Sequence, residues 1–265
     1  MRVYFELMIR QFRTGLTYKF NYVCNLLSKM LAIFAQYFIW KALLTEREIG
    51  TQVGNVGLQD MITYTLISTF ISTVINSNVI MDLNEKIKTG QIALDMVKPL
   101  NYKKYLFFDS LGKNLYSVIY LLLPSMIISI AIFGIKLPSV KYGLLFMLSL
   151  FLGFMINFLM CLCLGTLGFW FNQLWILSRL VNDLLSLFSG KLIPLWFFPT
   201  IMLNVADCLP FKMIYSVPIS IFLERYNQNE MVNMIMLQLV WIVILFIISN
   251  LIWEKGIKKV VIQGG

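Results

Sequence analysis

Apolar residues run along this chain in blocks of about twenty, the length a helix needs to cross the hydrocarbon core of a bilayer. Six such blocks stand out, at about residues 22–44, 60–81, 113–134, 141–171, 175–192 and 230–253. Lipid offers backbone polar groups no partner but each other, so blocks of this kind predict helices. The longest polar interval runs from Asp82 to Tyr105 and carries Lys86, Lys88, Lys98, Lys103 and Lys104. Apolar residues recur inside it at Leu83, Ile87, Ile92, Leu94, Met96, Val97 and Leu100, so it is more than a solvated linker. Gly90 suits the left-handed position that ends one short helix, and Pro99 ends the next. The pattern predicts two short amphipathic helices presenting Ile87, Ile92, Leu94 and Met96 to a partner. The plainer alternative is a loop with helical turns.

Residues 1–20 read as a helix lying along the membrane surface. Arg2, Glu6, Arg10, Arg13 and Thr17 make a basic, polar stripe, and Phe5, Met8, Ile9, Phe12, Leu16 and Phe20 the opposite face. Charged and apolar residues interleave here without a separate apolar core and cleavage site, which argues against a signal peptide.

Polar residues also interrupt the spans themselves. Asn25, Lys29, Gln36 and Trp40 return to one face of span one, and Thr65, Ser68, Thr69, Ser72 and Asn76 line one side of span two. Such faces either pack helix on helix or line a path, and Lys29 either snorkels to the interface or has a function. Pro124 predicts a kink in span three, and CLCLGTLG (Cys161 to Gly168) offers small residues for close contact in span four. In span five Arg179 and Asp183 stand four apart and can pair, either as a functional site or to anchor the helix end, with Asn182 beside them. Together Asn25, Lys29, Gln36, Ser72, Asn76, Asn182 and Asp183 are the expected lining of a translocation path.

Residues 190–229 are apolar but broken by Gly190, Pro194, Pro199, Pro210 and Pro218. The pieces are too short to span, so they predict re-entrant helices before span six. Pro194, Trp196, Phe197, Phe198 and Pro199 are expected to form an outer gate or else a static collar bracing spans five and six, with Trp196, Phe197, Phe198 and Phe211 at the outer interface.

Composition narrows the class. Apolar residues make up 59% of the chain and charged residues 13%, half the proportion usual in soluble domains, which fixes an all-α polytopic membrane protein built as one transmembrane domain over residues 1–265. The net charge of +9 falls between the spans and follows topology rather than nucleic acid. With both termini inside, fourteen lysines and arginines lie inside and seven outside, which puts Asp82–Tyr105 in the cytoplasm. The chain contains no histidine, no G-x-x-x-x-G-K-[ST] loop, no HExxH and no G-x-S-x-G elbow. Cys24, Cys161, Cys163 and Cys208 form no CxxC pair, so they read as packing residues. No metal site or catalytic residue is predicted, and ATP cannot be bound here through a phosphate loop.

The blocks and their punctuation resemble the second class of ATP-binding-cassette exporter permeases, the type V fold, and within it a bacterial subgroup of six-span ABC-2 family transporter proteins. KTGQIALDMVKPL is similar to the glycine-to-proline block after that subgroup's span two. SGKLIPLWFFP with the downstream CLPF resembles its block before span six, and EKGIKKVVIQGG resembles its basic, glycine-ended tail. The likeness covers essentially the whole chain and rests on Gly, Pro and Leu rather than on reactive groups.

The resemblance implies a half-transporter in a bacterial cytoplasmic membrane. Two permease chains, identical or paralogous, would pair and associate with two separate ATPase subunits, which hold the ATP and Mg; this chain carries no cofactor. It places a coupling helix at about Asn84 to Val97 and implies export of an amphipathic substrate: a drug, an antimicrobial peptide, a lipid or a lipid-linked glycan. Ile87, Gly90, Ile92, Leu94, Met96 and Pro99 are then the residues expected to meet the ATPase. The residues leave a different class open as well, a membrane assembly or immunity factor that binds a hydrophobic partner without pumping it.

Overall fold

The computed structural model describes residues 2–15, 19–45, 57–75, 78–134, 137–171 and 173–263, and among these residues the fold is all helix. The elements are α1 (Arg2–Gly15), α2 (Lys19–Thr45), α3 (Leu58–Val74), α4 (Val79–Lys88), α5 (Gln91–Val97) and α6 (Tyr102–Tyr116). A π-helical turn, Ser117–Leu122, leads into α7 (Leu123–Phe133), followed by α8 (Val140–Thr166) and α9 (Leu174–Phe188). Then come α10 (Thr200–Asp207), α11 (Ser216–Phe222) and α12 (Gln228–Gln263).

Five helical runs are long and apolar enough to cross a membrane: Val23–Leu44, Leu58–Lys88, Tyr102–Phe133, Val140–Phe169 and Gln228–Lys259. A sixth arises only if the bent pair Thr200–Asp207 and Pro210–Phe222 is counted as one span. The helix at the expected fifth span, 175–192, is shorter than those bounds. This helix, α9, has 15 residues and stops where Gly190 takes the left-handed φ of 80°, so it is about 22 Å long against a hydrocarbon core of about 30 Å.

The centre of the bundle is α3. Every residue from Met61 to Ser68 is buried, so the hydroxyls that make this span unusual point into packed protein all around the helix. Helix α2 lies along it antiparallel: the Trp40 indole N–H donates to Thr65 Oγ1 at 3.1 Å, and Lys29, almost three turns earlier, reaches Thr73. The π-helical turn stands immediately before Pro124, where the missing N–H was expected to disturb span three.

Helices α8 and α12 form a parallel pair, with Lys141 near Gln228 at one end and Phe169 against Trp253 at the other, joined between them by Gln238. This fully buried amide accepts from Ser149 Oγ at 3.1 Å and donates to the carbonyls of Ser149 and Met213 at 3.1 and 2.8 Å. The Met213 contact brings in the bent pair, whose two parts meet at 78°. Its tip rests on Gly153, halfway along α8, where a side chain's first carbon would come within 3.2 Å of the Ile214 carbonyl oxygen. From there α11 returns to the start of α8, where the Glu224 carboxylate accepts from the Ser139 N–H at 2.7 Å.

At the other end of the bundle α1 packs along α6. Tyr4 stacks on Phe108 at 5.5 Å and Phe12 meets Tyr116 and Tyr120, while Phe5, expected on the apolar face, stays 55% exposed. Gly112 makes the contact possible, because a Cβ there would overlap the Met8 carbonyl oxygen.

Candidate functional site

Two regions collect the residues singled out by sequence, one at each end of the bundle. The first is the polar stretch, which folds as the two short helices α4 and α5. Gly90 turns the chain between them with φ 72°, and Lys98 becomes extended before Pro99. A branch point of charges fixes the angle: Asp95 pairs with Lys86 on α4 at 2.8 Å and with Lys98 at 2.7 Å. Partial burial pushes the Asp95 carboxyl up, but the hydrogen bonds from Lys86 and Lys98 outweigh it and hold the group below the usual carboxylate range. Lys86 also lies 5.4 and 5.0 Å from the ring centroids of Tyr102 and Tyr105. Lys113 joins this end of α4 to α6, bridging Asp82 at 2.8 Å and Asp109 at 2.9 Å.

Of the expected knobs, only one stands clear. Leu94 is 71% exposed, whereas Ile92 is 1% exposed and belongs to the chain's own core. Ile87 and Met96 are half-buried against that core, and Ile87 lies over Gly168. Val97, 84% exposed beside Leu94, was noted as apolar but not among the expected knobs. Its signal was available: Leu94 and Val97 stand three apart and share a face of α5, opposite Ile92 and Met96.

The second region is the seam where α2, α3 and the turn after α9 meet. Tyr64 OH donates to the Gly190 carbonyl, and Ser68 Oγ donates to that of Lys191 at 2.6 Å. The turn is therefore docked on the polar side of α3. Trp196 then packs edge-on against Tyr64 at 5.1 Å, Phe197 stacks on Trp40 at 5.9 Å, and the Arg225 guanidinium lies 3.7 Å from the Trp196 ring centroid. Phe211 is buried. These rings are packed against the protein's own helices.

The expected path residues are only partly brought together. Lys29 meets Thr73, and Ser72 bonds back to the Thr69 carbonyl at 2.7 Å. Gln36 is half-buried on α2, and Asn25 is exposed. Asn76 lies outside the described residues. On α9, Asn182 and Asp183 are exposed on the face turned away from the bundle. Arg179 is exposed there too, and among the described residues it makes no ion pair with Asp183, though the spacing permits one. Sequence reasoning left Tyr64 and Thr73 off the polar face of α3, though both reach across to neighbours as Thr65 and Ser68 do. Among the described residues no cluster of side chains is arranged to hold a metal ion.

Compared with known proteins, residues 30–264 match the family described as ABC-2 family transporter protein. No curated protein matches the chain.

Proposed function

This chain belongs to the ABC-2 transporter family, and on that footing we propose that it is the membrane half of a bacterial exporter driven by ATP hydrolysed on separate subunits. A multi-pass membrane protein of this family is the permease component, without an ATPase domain, and works with an ABC ATPase. Beyond this, our reading has two permease chains, identical or paralogous, paired in the cytoplasmic membrane with two ATPases that carry the ATP and Mg. Both termini face the cytoplasm, and the substrate is amphipathic: a drug, an antimicrobial peptide, a lipid or a lipid-linked glycan.

The observation that carries the coupling role is the exposed pair Leu94 and Val97 on α5, held at a fixed angle by the Lys86–Asp95–Lys98 charges. Apolar side chains that stand clear of their own protein on a braced helix suit a groove in a partner. They transmit the partner's movement because the brace resists bending. The bent pair Thr200–Phe222, returning to the level at which it started, supports a re-entrant element between α9 and α12. It leaves α9 as the crossing segment, short as it is, because α8 and α12 run parallel and an odd number of crossings must separate them. The exposed polar face of α9, with Arg179, Asn182 and Asp183, is then the side covered by the second permease.

Affinity capture of the chain from its native membrane tests the reading. An ABC ATPase should be recovered with it, and ATP hydrolysis should depend on that subunit alone. Recovery of the intact chain without any ATPase, under conditions that preserve other membrane complexes, overturns it.

A further inference from the structure

Two half-buried lysines are held against α3 with no carboxylate to answer them among the described residues. Lys29, on α2, does not extend toward the nearer end of its helix; its ammonium donates to Thr73 Oγ1 on α3. Lys191 follows the turn that Ser68 fixes on the same helix, and its ammonium lies 5.9 Å from the Tyr215 ring centroid. Ser68 and Thr73 are five residues apart, about 7.5 Å of helix rise. The two lysines are therefore anchored at neighbouring levels of α3.

The surrounding sequence supplies no counter-charge. No Asp or Glu occurs in α2, in α3 after Asp60, in Ser117–Phe133, in α8, in Ser189–Pro199 or in α11. Among the described residues neither lysine makes an ion pair. Elsewhere in this chain Lys86, Lys113 and Lys212 each pair with a carboxylate. Cations set inside a membrane protein are costly without a partner, and among the described residues no carboxylate supplies one.

We propose that Lys29 and Lys191 bind the anionic headgroup of an amphiphile, phosphate being the group that paired ammoniums hold well as point charges. The proposal rests on the permease reading and narrows its substrate class to anionic amphiphiles. Thr73 orients Lys29, and Ser68 and Tyr64 fix the turn that carries Lys191. The apolar tail lies in the bilayer beside α2, whose outward face (Leu27, Leu31, Phe38) is exposed.

Native mass spectrometry of the purified chain, without any ATPase, tests this directly. The chain is offered phosphatidylglycerol and phosphatidylcholine of identical acyl chains in equal amounts. The wild-type chain should retain the anionic lipid about tenfold over the zwitterionic one. Lys29→Gln and Lys191→Gln should each reduce that preference, and the double variant should abolish it. Lys29→Arg with Lys191→Arg should keep it, which separates loss of charge from loss of fold. Should Lys29→Gln fail to fold, Lys191→Gln alone reads the same preference. Added inorganic phosphate that displaces the lipid identifies the anion itself as sufficient, and no displacement identifies the amphiphile as a whole; both agree with the site. An unchanged preference in the double variant, or an equal loss in Lys88→Gln at the exposed end, overturns it. The assay needs neither ATPase nor transport, so its failure leaves the permease reading standing.

Discussion

Lys86 and Asp95, nine residues apart and on different helices, are joined at 2.8 Å across the Gly90 turn. That bond turns two short amphipathic helices into one rigid element. Asp95→Asn removes the charge, and the brace should weaken by about 1 kcal/mol, most of it from Lys86, since Lys98 is 62% exposed and its pairing is screened. The Asp95 carboxyl is held below its ordinary value in the folded chain, so its stabilisation is full above the unfolded value. It is lost as pH falls through the folded one. Amide hydrogen exchange should show Gln91–Val97 loosening in Asp95→Asn at neutral pH and in the wild type under acid. Equal protection in both chains and at both pH values would remove the brace.

The exposed and buried residues of α5 should respond oppositely to a charge. Leu94→Asp with Val97→Asp should leave the chain inserted and stable but free of its ATPase, because the new carboxylates stay hydrated until a partner tries to bury them. Ile92→Asp places a charge in the chain's own core and should destabilise it by about 3 kcal/mol or more, lowering its yield before any partner is involved. Co-purification with the ATPase and thermal unfolding of the chain, measured on both variants, separate the two effects. Retention of the ATPase by the Leu94, Val97 variant counts against the docking role.

How much of this was legible in the sequence depends on the length of each signal. Spans one to four and span six were readable because long apolar runs leave the chain few alternatives. The two short helices were readable because Gly90 and Pro99 punctuate them. The fifth span was overread: its apolar run continues through Gly190 toward Pro194, and composition does not show that the helix stops at Phe188. The faces were harder. On α5 the period separates Ile92 from Leu94 but does not say which side meets the body of the protein. On α3 a helix buried on every side has no polar face to read, so Tyr64 and Thr73 look no different from their neighbours until the Gly190 turn and α2 are in place. Arg179 and Asp183 have the right spacing for a pair, yet spacing only permits one.

Gly112 offers a test of how α1 is attached. Its missing side chain lets α6 approach the Met8 carbonyl, and any Cβ there overlaps that oxygen. Gly112→Ala should therefore lift part of α1 from α6, with Gly112→Val doing so more strongly, at about 1–3 kcal/mol as for other overpacked contacts. Hydrogen exchange should rise in Arg2–Gly15 while α8 and α12 keep their protection. If α1 remains as protected in Gly112→Val as in the wild type, the close approach is not what holds it.

The last prediction concerns the aromatic cluster between α9 and α12. Pro194, Trp196, Phe197, Phe198 and Pro199 form a short irregular segment seated on α2 and α3, through Phe197 on Trp40 and Trp196 on Tyr64. Arg225 caps the Trp196 ring from the turn that begins α12, where Glu224 takes the positive φ of 55°. Every one of these contacts is between separate elements, so the segment can leave only by breaking several at once. Burial holds the Arg225 pKa below its ordinary value, against the pull of Asp60 and Tyr64, which is consistent with a guanidinium partly withdrawn from water over the ring. A cation over tryptophan contributes about 0.5–2 kcal/mol, enough to bias a two-state lid but not to lock it. The segment is therefore expected to close the outer end of the path at rest and to part when the ATPases draw together. Its exposed residues Leu192, Ile193 and Ile201 mark the side on which the second permease would lie. Cysteines at Leu192 or Ile201, crosslinked between the two permeases, should stop transport while substrate binding persists, and reduction should restore it. Arg225→Ala should speed transport or make it leaky by removing one of the contacts that keep the lid closed. Full transport with the crosslink intact would make the segment a fixed collar that braces its neighbours without gating anything.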